Sequence, residues 1–312
     1  MSNIIRRQFV AGATAIAAAA ATELSISSSG GPKPEFNYCL NTSTISGQKL
    51  PLTKMIDIAS SAGYQGIEPW TRDINAEIKR GITTRELAKR ISNSGLTVAN
   101  VIGFAEWIVD DEARRKKGLE NAKRDMELVR DIGGSFIAAP PVGATDQTNL
   151  DLDRAAERYR ALIELGEKFD VTPQLELWGF SKSLCRLGEL LYVASESGHP
   201  NACVLPDVYH IYKGGSSLAG LRMIAGSVMH TFHINDYPAT PTREQIGDAD
   251  RVYPGEGVAP LKEVLLTLHQ NGFHGMLSLE LFNREFWKQD ATVVAKTGLQ
   301  KMQQAVARAI DD

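Results

Sequence analysis

The sequence predicts an α/β fold, a single (β/α)8 barrel, and three observations carry that expectation. Short apolar runs alternate with longer amphipathic ones from about residue 36 to residue 310, eight of each. Several amphipathic runs stop at a glycine that leads into the next apolar run, as in Ser61-Ala-Gly-Tyr-Gln-Gly-Ile-Glu68 and Asn271-Gly-Phe-His-Gly-Met276. The segment after the first apolar run, Asn41-Thr-Ser-Thr-Ile-Ser-Gly47, lacks the G-x-G-x-x-G spacing that would favour an open dinucleotide-binding sheet. Each amphipathic run must carry the chain back to the same edge, so the strands are parallel and the crossovers right-handed. Eight such units, repeating every ~30 residues, close into a barrel more readily than they extend into an open sheet.

Taken in order, the expected strands are Phe36–Leu40, Tyr64–Glu68, Thr97–Ile102, Ser135–Ala139, Thr172–Leu177, Ala202–Leu205, His230–Asn235 and Met276–Leu281. The first expected helix, Leu52–Ala62, sets Met55, Ile56 and Ala59 on one face and stops at Gly63. Thr83-Thr-Arg-Glu86 reads as a capping box that opens the second, which ends before Gly95. Ala113–Ile132, Leu152–Phe169, Ser183–Ser197, Ser216–Ala225, Pro260–Gln270 and Ala291–Ile310 complete the set.

The chain has 312 residues, of which 43% are hydrophobic and 23% charged, enough for a core that needs no covalent staples. Cys39, Cys185 and Cys203 are few and scattered, with no C-x-x-C, so they indicate neither a disulfide framework nor a cysteine zinc site. A net charge of -3 gives no basic footprint, which argues against nucleic acid and anionic membrane as partners. Arg6-Arg7-Gln8-Phe9-Val10 opens an alanine-rich apolar run to Ala21, too short and too weakly apolar to span a bilayer. Twin arginines before such a run, with small residues at Ala19–Ala21, resemble a twin-arginine export leader, although Ile5 stands where that signal usually has serine. Residues 1–30 are therefore expected to be leader and linker, residues 31–312 the barrel, and the mature protein periplasmic or secreted, with no membrane association once the leader is removed. Nothing in the sequence excludes a homo-oligomer.

Catalytic groups of such a barrel come from the C-terminal ends of its strands. Those ends carry Glu68, Glu176, Asp207, His233 and Glu280. Glu176 and Glu280 each lie between two leucines, so the carboxylates face inward while their neighbours face the helices. A carboxylate there is costly without a cation, and neither strand supplies a Lys or Arg. Glu176, Asp207, His233 and Glu280 are thus expected to hold one divalent metal ion. The oxygen-rich set suits Mn2+ best, with Mg2+, Co2+ and Zn2+ as alternatives. His210 is expected on the loop after the sixth strand. His230 has the opposite parity to His233 and is expected to face away. Trp70, Trp107, Trp178 and Phe282 follow strand ends and offer apolar faces to the C–H side of a sugar.

Strand-five Glu176, the Asp207-x-x-His210 pair, His233-x-x-Asp236, Pro254-Gly-Glu-Gly257 and strand-eight Glu280 together resemble the xylose-isomerase-like barrels, which include ketose 3-epimerases, hydroxypyruvate isomerases and inosose dehydratases. The resemblance covers nearly all of the chain after residue 35. It implies that Glu176, Asp207, His233 and Glu280 are the metal ligands, that Glu176 and Glu280 double as an acid/base pair, and that His210 and Arg251 hold substrate oxygens. Glu68, Trp70, Trp107 and Trp178 are expected to line the same substrate. Lys182 stands where resembling epimerases often carry an acidic substrate contact. The related abasic-site nucleases need a histidine where Val252 stands, and others where Glu68-Pro-Trp70 and Gly103-Phe-Ala-Glu106-Trp107 stand, so DNA repair is disfavoured. The expected activity is a metal-dependent sugar isomerase or epimerase that removes a proton beside a carbonyl of a free or glycosidic keto-sugar. A lyase or dehydratase on the same site is the first alternative and a non-catalytic sugar-binding protein the second.

Overall fold

A computed structural model describes residues 36–311 of the chain. The expected export leader falls on residues 1–30, outside the described residues. Eight strands run in chain order: β1 Asn37–Asn41, β2 Gly66–Glu68, β3 Thr97–Val98, β4 Phe136–Ala139, β5 Thr172–Glu176, β6 Val204–Leu205, β7 Thr231–Ile234 and β8 Met276–Leu279. All ladder pairs are parallel, in the orders β3-β2-β1-β8-β7 and β4-β5-β6. Single parallel bridges close the ring, Val101 to Ile137 between the ends of β3 and β4 and Asp207 to His233 between β6 and β7. The expected barrel is present.

Around it lie α1 Leu52–Ala62, α2 Thr71–Lys79, α3 Thr84–Asn93, α4 Glu112–Asp131, α5 Leu152–Gly166, α6 Leu187–Glu196, α7 Val208–Lys213, α8 Leu261–Gln270 and α9 Ala291–Asp311. The Thr83 capping box forms, with Glu86 Oε2 accepting from the Thr83 backbone at 2.8 Å and Thr83 Oγ1 accepting from Glu86 N–H at 3.2 Å. Four expectations change. Helix α6 starts at Leu187 rather than Ser183, because Ser183 is held by its hydroxyl on the Ala144 carbonyl and Leu184 sits at φ 49°. The expected helix Ser216–Ala225 is a tight 3-10 segment over Leu218–Met223, capped by Ser217. Helix α2 follows β2 directly, where three apolar residues, Ile74, Ala76 and Ile78, among polar ones gave no visible stripe. The segment carrying His210 is the short helix α7, not a loop.

Alternation along the strands turns Leu40, Ile67, Leu175, Phe232, Ile234, Leu277 and Leu279 into the main core, all fully buried. The barrel interior is instead polar at mid-height. Gln174 Nε2 donates to Asn100 Oδ1 at 3.1 Å and to Thr231 Oγ1 at 3.2 Å, and Asn100 Nδ2 donates to Glu68 Oε1 at 2.8 Å. His230 lies at the opposite end of β7 from the strand-end carboxylates and stacks on Phe136 at 4.2 Å.

One half-buried acid stands apart from this network. Burial pushes the Asp125 carboxyl of α4 up to about 6, only weakly opposed by Arg124. A carboxyl raised on folding favours the native state while it keeps its proton; that advantage is whole below about pH 4 and is lost as the pH climbs through 6. Asp125→Asn is therefore expected to stabilise the protein by about 1–2 kcal/mol at pH 7.5, less than the full shift because the side chain is partly solvated, and to give no gain at pH 4. Urea unfolding at the two pH values checks it; equal gains at both contradict it.

Candidate active site

Asp207 stands two residues beyond β6 and caps α7: its Oδ1 accepts from His210 N–H at 2.8 Å, the ordinary duty of an N-cap aspartate. The D-x-x-H spacing is thus a cap-to-third-residue spacing, a signal present in the sequence. Its other oxygen, Oδ2, accepts from Asn235 Nδ2 at 3.2 Å and from Arg251 at 3.1 Å. Glu176 and Glu280 stand at the ends of β5 and β8, between leucines that are fully buried toward the helices.

His233, on β7, is oriented by Glu68. Its Nε2 lies 3.0 Å from both Glu68 oxygens and donates to them, while Nδ1 faces inward; burial would lower the ring's pKa, but Glu68 and then Glu280 outweigh it and raise it well above the usual range, so a cation bound at Nδ1 would take the place of a proton. Nδ1 has no hydrogen-bond partner and stands 3.6 Å from Asp207 Oδ2 and 3.4 Å from Glu280 Oε2. Glu68 is fully buried and also accepts from Asn41 Nδ2 at 2.8 Å and Ser278 Oγ at 2.6 Å, besides Asn100. Burial alone would raise its pKa; the His233 imidazole and these donors outweigh it and hold the carboxyl below its usual range. With every oxygen engaged inside the barrel, Glu68 has none for a substrate, and its expected place in the substrate lining is corrected: it fixes His233.

The interior cation absent from strands five and eight comes from the loop after β7. Arg251, 1% exposed, donates through Nη1 to Asp207 Oδ2 at 3.1 Å and Glu280 Oε2 at 2.8 Å, and through Nη2 to Asp248 Oδ1 at 2.5 Å. Its guanidinium lies 4.3 Å over the Tyr209 ring. The loop is pinned by Asp236, whose carboxylate accepts the backbone N–H groups of Tyr237, Gly255, Gly257 and Ala259 at 2.8–3.0 Å. Gly257 must be glycine, since a Cβ there would fall 2.2 Å from the Tyr237 carbonyl oxygen. Asp236 also pairs antiparallel with Val252, which sets the backbone beside Arg251.

Above these groups opens a cavity of about 150 Å3 at the C-terminal mouth, lined by Glu176, His210, Asp248, Arg251 and Glu280 below and by aromatic rings above. Larger clefts of 420 Å3 beside α8 and 400 Å3 at the other mouth gather no comparable set of carboxylates and histidine. Trp70 and Trp178 line the cavity as expected, whereas Trp107 does not. Trp107 is 1% exposed, donates Nε1–H to the Pro140 carbonyl at 2.9 Å and packs on Tyr159, so it is a core residue that braces its loop. Phe104, Phe180 and Asp248 also line the cavity and were not anticipated; only their position after strand ends hinted at them. Lys182 is exposed and pairs with Asp146 at 3.2 Å, and Lys213 Nζ donates to the carbonyls of Arg243 and Glu244, so neither is part of the lining.

The arrangement suits one divalent cation. One donor atom each from Asp207, His233 and Glu280 lies within 4.8 Å of the others. The 3.4–3.6 Å spacings about Nδ1 are close to the ~3–3.5 Å between neighbouring donors around a cation held at ~2.1 Å. Glu176, the fourth expected ligand, is not among these three mutually close donors but lines the same cavity as Glu280. Its Oε2 is buried with no hydrogen-bond partner; burial, then the charges of Glu280 and Asp207, raise its pKa well above the usual range against the opposing pull of His233. A cation would relieve that repulsion. His210 presents both ring nitrogens to N–H donors, Nδ1 to Gly179 at 3.3 Å and Nε2 to Arg251 at 3.1 Å, and a neutral imidazole can accept at only one of them. Burial, then Arg251, push its pKa down to about 4.

The sequence profile of the family described as xylose isomerase-like TIM barrel matches residues 56–305. The inosose isomerase of Bacillus velezensis is 25% identical over 274 residues, covering 86% of this chain and 97% of that protein. The fructoselysine 3-epimerase of Escherichia coli O157:H7 is 24% identical over 250 residues, covering 76% of this chain and 88% of that protein. Among solved structures, the IOLI protein with a bound zinc atom superposes with a TM-score of 0.81 at 21% identity, over 89% of this chain and 100% of that one.

Proposed function

The chain is an enzyme of the xylose isomerase-like TIM barrel family, and from that premise we propose that it is a divalent-metal-dependent isomerase or epimerase of a keto-sugar. One observation carries the reading: two carboxylates on different strands, Glu176 and Glu280, line one small cavity beside the three-donor cage. The names of the relatives, an inosose isomerase and a fructoselysine epimerase, support the same class of substrate.

In this reading Asp207, His233 and Glu280 hold the ion with Glu176 alongside, and when bound the ion supplies Lewis acidity to a carbonyl oxygen. Arg251 holds a substrate oxygen and balances the negative floor. One glutamate takes the proton from the carbon between carbonyl and hydroxyl, and the other returns a proton to the same carbon from the opposite face or to its neighbour. The first course inverts a centre and the second moves the carbonyl; both conserve atoms. Elimination would begin with the same proton removal but needs a donor for the departing oxygen. His210, with its ring nitrogens turned to Gly179 and Arg251, is poorly placed to be that donor.

Protein stripped by a chelator should lose turnover on a panel of ketoses and keto-cyclitols and regain it with Mn2+, Mg2+, Co2+ or Zn2+, at one ion per chain. Glu68→Gln should weaken metal affinity by about 10–100-fold, because the carboxylate that accepts from His233 Nε2 and holds the ring in place is lost. Calorimetric titration reads both. Turnover that survives exhaustive chelation contradicts the proposal.

A further inference from the structure

We infer that the rim of the cavity is a subsite for a flat aromatic group attached to the sugar, so that the preferred substrate is an aryl glycoside in keto form rather than a free sugar; this rests on the function proposed above. The lining divides by chemistry. Charged groups occupy the floor, while the outer wall is Trp70, Ile102, Phe104, Trp178, Phe180 and Phe282, with no charged side chain among them. The rings form a continuous arc: Phe282 to Trp70 at 5.9 Å, Trp70 to Phe104 at 5.1 Å, Phe104 to Trp178 at 6.2 Å, and Trp178 stacked on Phe180 at 5.2 Å.

A single exposed phenylalanine needs no explanation, but here two occur on one wall, Phe104 at 38% and Phe180 at 48% exposure. Both are held in place from below. Phe104 leads a loop fixed by Trp107 on Pro140, by the Glu106–Arg114 pair at 2.6 Å, and by Gly118, where a Cβ would meet the Glu106 carbonyl oxygen at 2.4 Å. Phe180 follows Gly179, which packs so closely on α7 that a Cβ would fall 2.3 Å from the His210 carbonyl oxygen. Two apolar rings are thus presented to solvent by rigid supports.

Size points the same way. The cavity of about 150 Å3 is well below the ~300–1,000 Å3 of pockets that enclose larger ligands. It has room for a sugar ring over the floor, and any substituent on that ring must lie across the rim. A second sugar could lay one C–H face on a single ring, but the wall has no charged side chain to meet its hydroxyls, whereas a flat aromatic group gains stacked and edge contacts with Trp178, Phe180 and Phe104 together.

Quenching of tryptophan fluorescence in metal-loaded protein by phenyl and methyl β-glucoside tests the subsite without turnover. Phenyl β-glucoside should bind about tenfold more tightly than its methyl counterpart. Phe104→Ala/Phe180→Ala should bring the ratio below about threefold, and Phe180→Tyr should restore most of it. Equal affinity for the two glucosides overturns the proposal, as does free phenol binding as tightly as phenyl glucoside. A change of oligomeric state in the double alanine variant also overturns it, because the rim would then be the seat of a second copy. Should the aryl preference hold while neither ketoses nor aryl keto-glycosides exchange a proton, the catalytic reading fails and the subsite stands; should exchange occur without aryl preference, the subsite alone fails.

Discussion

Glu176→Gln and Glu280→Gln are each expected to lower kcat by about 10^2–10^4-fold while leaving the barrel folded. Glutamine keeps the shape and one oxygen but cannot take up a proton. The two residues sit at the ends of β5 and β8 and line one cavity, so each is asked to serve one half of a proton transfer. Their partners differ. Glu280 accepts from Arg251 at 2.8 Å and Asn41 at 3.2 Å, whereas Glu176 Oε2 has none. Glu280→Gln should therefore also loosen the metal, while Glu176→Gln should retain more of it. Because two steps share one intermediate, the double variant should lose little beyond the worse single one. Turnover within a few-fold of the unaltered enzyme, at matched metal content, would remove the assignment.

Arg251→Met is expected to cost about 3–5 kcal/mol of stability at neutral pH in metal-stripped protein. Methionine fills similar space but leaves Asp207, Asp248 and Glu280 facing one another without their shared cation. Arg251→Lys should recover only part, since a single ammonium cannot bridge the three carboxylates that the guanidinium fork reaches. The pH dependence follows from Asp207. Burial would raise its carboxyl, but Arg251 and then His210 overcome that and hold it far below the ordinary aspartate value. A depressed carboxyl contributes stability that is whole above about pH 4 and is lost only in stronger acid, so the gap between native and variant chains should narrow there. Guanidinium unfolding across pH 3–8 measures it; a loss under about 1 kcal/mol at pH 7 would mean that the ion pairs are solvated rather than structural.

The barrel was legible because buried parallel strands must be apolar and helices here end on glycine, two signals that need no tertiary contact. Helices α2 and α7 lacked them, one too polar and one only six residues long. Strand-end reading also found Glu68, Glu176, Asp207, His233 and Glu280. It could not assign their duties, because those depend on partners distant in sequence. Glu68 is drawn into the barrel by Ser278 and His233, 210 and 165 residues away. Trp107 turns from the mouth into the core because Pro140 offers its carbonyl there. Arg251 becomes the counter-ion of Glu280 only through a loop that Asp236 folds back by four backbone hydrogen bonds.

The proposed reaction moves a proton on and off a carbon beside a carbonyl. Metal-loaded protein incubated in deuterated water with ketoses and keto-cyclitols, followed by proton NMR and mass spectrometry, tests it most directly. One deuterium is expected at the carbon next to the carbonyl in the epimeric or isomeric product, with slower uptake into recovered substrate, and both should be lost in Glu176→Gln and Glu280→Gln. Accumulation of an unsaturated ketone with release of water or an alcohol, or no isotope uptake by any substrate that binds, would contradict it.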